Sequence, residues 1–190
     1  MARLEPLSPD ALDEEQRRLY QQITGGPRAR GPQHFRLTDD DGRLLGPFNA
    51  MLLRPGIGGW LQALGSAIRY DGGVSDRARE IAVLAVAAHW NSAFERYAHE
   101  PIARAAGIRE QTIVEICDQE VAALDDPADG LVLRLVRTLL ERQDLDDADY
   151  AEAEAVLGAP AIFELTTLVG YYSTLAMQLR VFRADDPPGH

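Results

Sequence analysis

Cysteine is nearly absent from this chain: Cys117 is the single thiol in 190 residues. One thiol excludes an intramolecular disulfide, a dithiol centre and a cysteine-based zinc site. Ile113, Ile116 and Cys117 fall on one helical face, so the thiol is expected to be buried, and a reducing cytoplasm suits it. Basic residues are scarce as well, with 19 Lys plus Arg against 30 Asp plus Glu and a formal charge of −11. That balance argues against nucleic acid, which needs a basic face, and against an anionic membrane surface. No apolar run is long enough to span a bilayer, and the opening MARLEPLSPDALDEE has no apolar core of a signal peptide. A soluble, cytoplasmic protein is the expectation.

What is present is ordinary in bulk and informative in order. The 46% hydrophobic content and the length suit one domain with its own core. Ser8-Pro9 predicts the start of a first helix, with Leu12, Leu19, Tyr20 and Ile23 inward and Gly25-Gly26-Pro27 as its end. Phe35 to Leu45 reads as a hairpin or tight excursion around Asp41-Gly42. Its acidic triplet, Asp39 to Asp41, lacks the spacing of a calcium loop and reads as a turn. Pro55 stops a short apolar segment, Met51 to Leu53. The next helix carries Trp60, Leu61, Leu64 and Ile68 on one face, and Asp71-Gly72-Gly73 breaks it. Further helices are predicted over Ile108 to Val121, around Leu131 to Leu139, from Asp146-Asp147 to Gly158, and from Ala161 to about Phe182. The last is apolar nearly all round, which predicts the centre of the bundle or a subunit interface. No repeat or linker divides the chain, so the fold class is all-α and single-domain.

The stretch Ser75 to Gly107 holds the chemistry. Ser75 caps an amphipathic helix with Ile81, Leu84, Ala85 and Ala88 as its apolar stripe, and the pattern breaks at His89-Trp90-Asn91. A second helix begins at Ser92 and places Glu95 and His99 one turn apart on the same side. Glu80, near the start of the first helix, faces roughly inward. One reading is structural: Ser92-Ala93-Phe94-Glu95 is a capping box and Glu95–His99 an everyday helix pair. The other is functional: two acids and a histidine in an apolar bundle form a proton-transfer set. Pro101 is expected to kink or break the helix near Tyr97 to Glu100. Arg77 and Arg96 are the sequence neighbours that could meet a carboxylate substrate. His89 reads as a packed or surface side chain, and Trp90, Phe94 and Tyr97 as core or interface aromatics.

The order GPFN, then SDRAREIAVLAVAA, then FERYAHEPIARAAGI closely resembles the carboxymuconolactone decarboxylase family, which includes the alkylhydroperoxidase AhpD-like proteins. The similarity is best from Gly46 to Ile108, and Leu168-Val169-Gly170-Tyr171-Tyr172 is similar to the family's final helix. The resemblance implies an AhpD-like helical bundle that associates as a trimer or hexamer. In the AhpD-like branch the motif is a glutamate, a C-x-x-C pair and a histidine. Those positions fall here on Glu80, Ser92, Glu95 and His99. Without the two thiols, dithiol peroxidase chemistry is disfavoured.

The resemblance then implies the decarboxylase branch: a small carboxylated lactone or related acid as substrate, no metal and no organic cofactor. His99 would donate the proton, Glu95 would orient it, Glu80 would serve as second acid–base or structural partner, and Ser92 would bind substrate or cap its helix. The alternative is a non-catalytic oligomeric binding or scaffold protein of the same fold. Residues 1–45 are expected to form an N-terminal helix with an irregular extension, 46–183 the family-like helical domain and 184–190 a disordered tail.

Overall fold

The computed structural model describes residues 3–30 and 34–184. Among them the regular structure is helical, with no strand, as the sequence predicts. In chain order the helices are α1 (Glu14–Gly25), α2 (Pro47–Met51), α3 (Pro55–Tyr70), α4 (Asp76–Trp90), α5 (Ala93–Ala105), α6 (Glu110–Cys117), α7 (Pro127–Arg142), α8 (Asp147–Leu157) and α9 (Ala159–Phe182).

The bundle is built around α4. Every residue from Ala78 to Ala88 is buried, and α5, α6, α7 and α9 all pack against this one helix. The sequence reading as an amphipathic helix is corrected here. Alanines at 78, 82, 85, 87 and 88 fill what a two-sided pattern would leave polar, and their small size lets neighbours close in from every side. Ser75 caps α4 by accepting from the Ala78 N–H (3.1 Å). Asn91, at φ +49, ends it in the left-handed conformation that asparagine tolerates better than most residues. The chain then turns directly into α5, whose Ser92 cap accepts from the Glu95 N–H (3.4 Å). This tight joint sets the two helices that carry the acids and the histidine side by side.

Several boundaries differ from the sequence reading. Pro9–Ala11 is only a 3-10 turn, and α1 begins after it, because Asp13 and Gln16 form a reciprocal capping box. Pro55 opens α3, where a proline in the first turn loses no hydrogen bond. Pro101 neither breaks nor ends α5, which runs through it to Ala105. The helix expected to reach Val121 stops at Cys117, and Val121 is fully in solvent. On α3 the apolar face expected from Trp60 and Leu64 points outward: Trp60 is 81% exposed, while Gly58 and Gly65 are the buried positions. The α9 face is divided, with Leu165, Leu168, Tyr172 and Leu179 inside and Phe163, Met177 and Val181 outside.

The N-terminal segment packs into the same core. Leu12, Leu19, Ile23 and Leu44 are buried in one cluster with Ile81, Leu84 and Leu168. The acidic triplet is a turn, as read: Asp39 accepts from the Asp41 and Arg43 N–H groups and pairs with the Arg43 guanidinium at 2.6 Å. A single antiparallel bridge, Thr38 to Leu44, closes this excursion. The tail 185–190, expected to be disordered, lies outside the described residues.

Candidate active site

Glu80, Glu95 and His99 meet in the interior. Glu80 sits on the second turn of α4 and is fully buried. Its Oε2 lies 2.7 Å from Nδ1 of His99, which reaches across from α5. Glu95, one turn before His99 on the same helix, places Oε2 3.6 Å from the other ring nitrogen, Nε2. The imidazole is thus held between two carboxylates, hydrogen-bonded to one and within ion-pair distance of the other. The Tyr172 ring of α9 meets it edge-on, with centroids 5.2 Å apart and planes at 88°.

Burial opposes ionisation of Glu80, but the charge on His99 and its hydrogen bond outweigh that, with Arg69 and Arg79 adding to them. The carboxyl is held below the usual glutamate range. Arg79, itself buried, lies 3.4 Å from Glu80 and 2.9 Å from Asp76. Burial raises the Tyr172 phenol well above its ordinary value, and the neighbouring Glu80 carboxylate pushes the same way, so this tyrosine is a neutral wall.

His99 and Glu95 face a small cavity of about 20 Å³, bounded also by Arg28, Arg69, Phe48 and Tyr171. That is room for about one water molecule. Glu80 stands behind the imidazole and does not line the space. Arg28 enters from the 3-10 turn that follows α1. Its guanidinium lies 5.3 Å from the centre of the Phe48 ring and is hydrogen-bonded to Tyr171. Gly65 of α3 makes this possible. A Cβ there would lie 2.0 Å from the Tyr171 hydroxyl and 2.7 Å from Arg28.

The structure therefore brings together the three residues picked from the sequence and leaves the nearby arginines elsewhere. Arg77 pairs with Asp129 (2.5 Å) and donates to the Gly107 carbonyl, and Arg96 pairs with Glu100. The arginines at the site, Arg28 and Arg69, are distant in sequence and carry no motif that would have marked them. Ser92 is buried at the α5 cap. His89 is exposed, against the Trp90 ring. Cys117 is buried on α6, and that burial, the largest influence, pushes its thiol up to about 11 despite Arg96 nearby. Such a thiol does not replace the absent pair. Among the described residues, no group of three or more His, Cys, Asp and Glu is placed to hold a metal ion.

The helical bundle is that of the AhpD-like fold. Residues 55–138, from α3 into α7, match the model of the carboxymuconolactone decarboxylase family. The GPFN stretch and α9, which also supported the resemblance, lie outside the match. Two solved structures share the whole fold. One is an uncharacterized peroxidase-related protein from Ralstonia eutropha JMP134, described as an alkylhydroperoxidase AhpD core. It has a TM-score of 0.76 at 16% identity, covering 99% of this chain and 93% of that one. The other is an uncharacterized peroxidase-related protein from Silicibacter sp. TM1040, with a TM-score of 0.76 at 13% identity, covering 99% and 92%. No curated protein matches.

Proposed function

We propose that this protein is a cofactor-independent acid–base enzyme of decarboxylase type, acting on a small carboxylated lactone or related acid. The observation that carries the reading is the buried Glu80–His99 contact of 2.7 Å, with the opposite ring nitrogen turned towards Glu95 and the cavity. Glu80 occupies Nδ1, so Nε2 is the atom left to exchange a proton with a bound molecule. An ionised Glu80 stabilises the imidazolium, which then donates. In the reaction, the bond to the substrate's carboxylate breaks and carbon dioxide leaves. The electron pair passes into the conjugated system, and the proton from Nε2 restores a neutral carbon. Solvent reprotonates His99 afterwards.

The roles differ from those implied by the resemblance. Glu80 is the closer partner of His99 and the positioning residue. Glu95 lines the cavity beside the proton donor, where it meets the substrate. Ser92 acts through its cap, holding Glu95 and His99 in register. A thiol peroxidase reading finds no support in this chain, whose matching positions are Ser92 and Glu95.

A second reading draws on the size of the cavity: about 20 Å³ admits no organic substrate without movement, as in a binding or scaffold protein that keeps the fold. Carbon dioxide release from a panel of carboxylated lactones and β-keto acids separates the two. Turnover that collapses in His99→Gln, with the helical circular dichroism unchanged, supports the enzyme. Turnover equal in both removes His99 from the chemistry.

We also infer a homo-oligomer. Ile57, Trp60 and Leu64 on α3, with Phe163 on α9, leave large apolar side chains in solvent, as a subunit contact would. A trimer or hexamer in a reducing cytoplasm is the assembly we propose.

A further inference from the structure

Beside the cavity of His99 lies a second space, of about 340 Å³, and it has the opposite character to the rest of the molecule. Four guanidiniums line it, those of Arg28, Arg30, Arg69 and Arg79, against one carboxylate, Asp76. The chain as a whole carries a formal charge of −11, so so many cations around one cleft run against its composition. Arg79 is partly neutralised by Asp76 and Glu80. Arg69 lies 5.7 Å from the centre of the Tyr70 ring and acts on Glu80 only through its charge, with no ion-pair contact within 4 Å among the described residues. Arg30 donates to the Gly25 carbonyl, at 3.4 Å, and pairs with no carboxylate among the described residues. Three residues, Arg28, Arg69 and Phe35, line both this cleft and the cavity of His99, so they form the partition between the two.

We propose that the arginine cleft binds an anionic oxygen group, carboxylate or phosphate, of a small molecule whose other end passes the Arg28–Phe35–Arg69 partition to reach His99. The proposal rests on the acid–base reading of that histidine but is tested without turnover. The volume suits a ligand of metabolite size. Guanidiniums suit an anionic oxygen group through paired, charge-assisted hydrogen bonds. Low-dielectric walls around clustered like charges focus their field on an incoming anion, even on an acidic protein. Arg28 and Phe35 come from the N-terminal segment, outside the family-matched residues 55–138. Arg69 and Arg79 lie within them, so the cleft joins the two parts of the chain.

The test is calorimetric titration of the full chain with glutarate, with inorganic phosphate, and with glutaramide as the uncharged counterpart of glutarate. Saturable binding of one anion, weakening with added salt and absent for glutaramide, is expected. The tighter of the two anions identifies the group. Arg69→Met is expected to weaken it at least ten-fold. Arg30→Met, at an exposed position that folding does not depend on, is expected to weaken it several-fold. Binding is read without turnover, so a failed decarboxylation assay leaves this result standing. Binding of neither anion, equal binding of glutaramide, or unchanged affinity in both folded arginine variants overturns the proposal.

Discussion

The two halves of the candidate site are built by different means. The acid–base half stands on α4 and α5, two regular helices joined by one left-handed residue, with Glu80, Glu95 and His99 almost wholly shielded. The charged half draws on Arg28, Arg30 and Phe35, from a turn and irregular chain after α1, and on Arg69 in the last turn of α3. Helix geometry fixes distances to fractions of an ångström, which proton transfer requires. Irregular chain can shift, which admission of a ligand through a one-water cavity requires. On the proposed reading, the contrast separates residues that set the reaction from residues that set what is admitted.

The largest effect that would sharpen this contrast is on turnover. His99→Gln is expected to lower carbon dioxide release by about 10² to 10⁴, the usual worth of a positioned general acid. Glu80→Gln is expected to act through His99. It should lower kcat more than it raises KM, and cost about 1–3 kcal/mol in chemical denaturation, since a buried charged partner loses its counterpart. A variant in which KM rises while kcat holds would place Glu80 in binding and break the division.

Glu80 also predicts a pH dependence. Its folded value is depressed, chiefly because His99 outweighs burial. Its contribution to stability is thus complete above the ordinary glutamate value of 4.5 and is lost as pH falls below that, through the lower folded value. Acid unfolding below about pH 4.5 should therefore be shallower in Glu80→Gln than in wild type. Identical acid limbs would mean that the pair adds nothing to the folded state.

On the other half, Gly65→Ala should push Tyr171 and Arg28 aside and raise KM with a smaller change in kcat. An equal fall in both would show that the partition also shapes the chemistry. The smallest expected effect on stability belongs to Trp60→Ser, within about 0.5 kcal/mol at an exposed position. Its expected readout is a shift to smaller species in sizing with light scattering. An unchanged mass would remove the α3 face from the assembly.

What could be read from the sequence follows the same division. Glu95 and His99 are four apart on one helix, so local periodicity places them together. Glu80 follows once α4 and α5 are laid side by side. Arg28 and Arg69 were invisible, because only tertiary packing brings residues 41 positions apart to one cavity; neither has a local pattern. The outward turn of Trp60 was equally hidden. Periodicity shows that a face is apolar, and burial is decided by what packs on it, here the Gly58 and Gly65 side of α3. The burial of α4 on every side was missed for a related reason, since alanine is apolar enough to bury yet weak in any hydrophobic pattern.

Cys117 has a practical consequence. Its thiol is buried on α6 and that burial pushes its pKa up to about 11, so slow reaction with maleimides at neutral pH is expected. A thiol introduced by Phe35→Cys would then be the single reactive handle on the protein. Its labelling rate, followed as anion is added, would report directly on how often the partition beside His99 stands open.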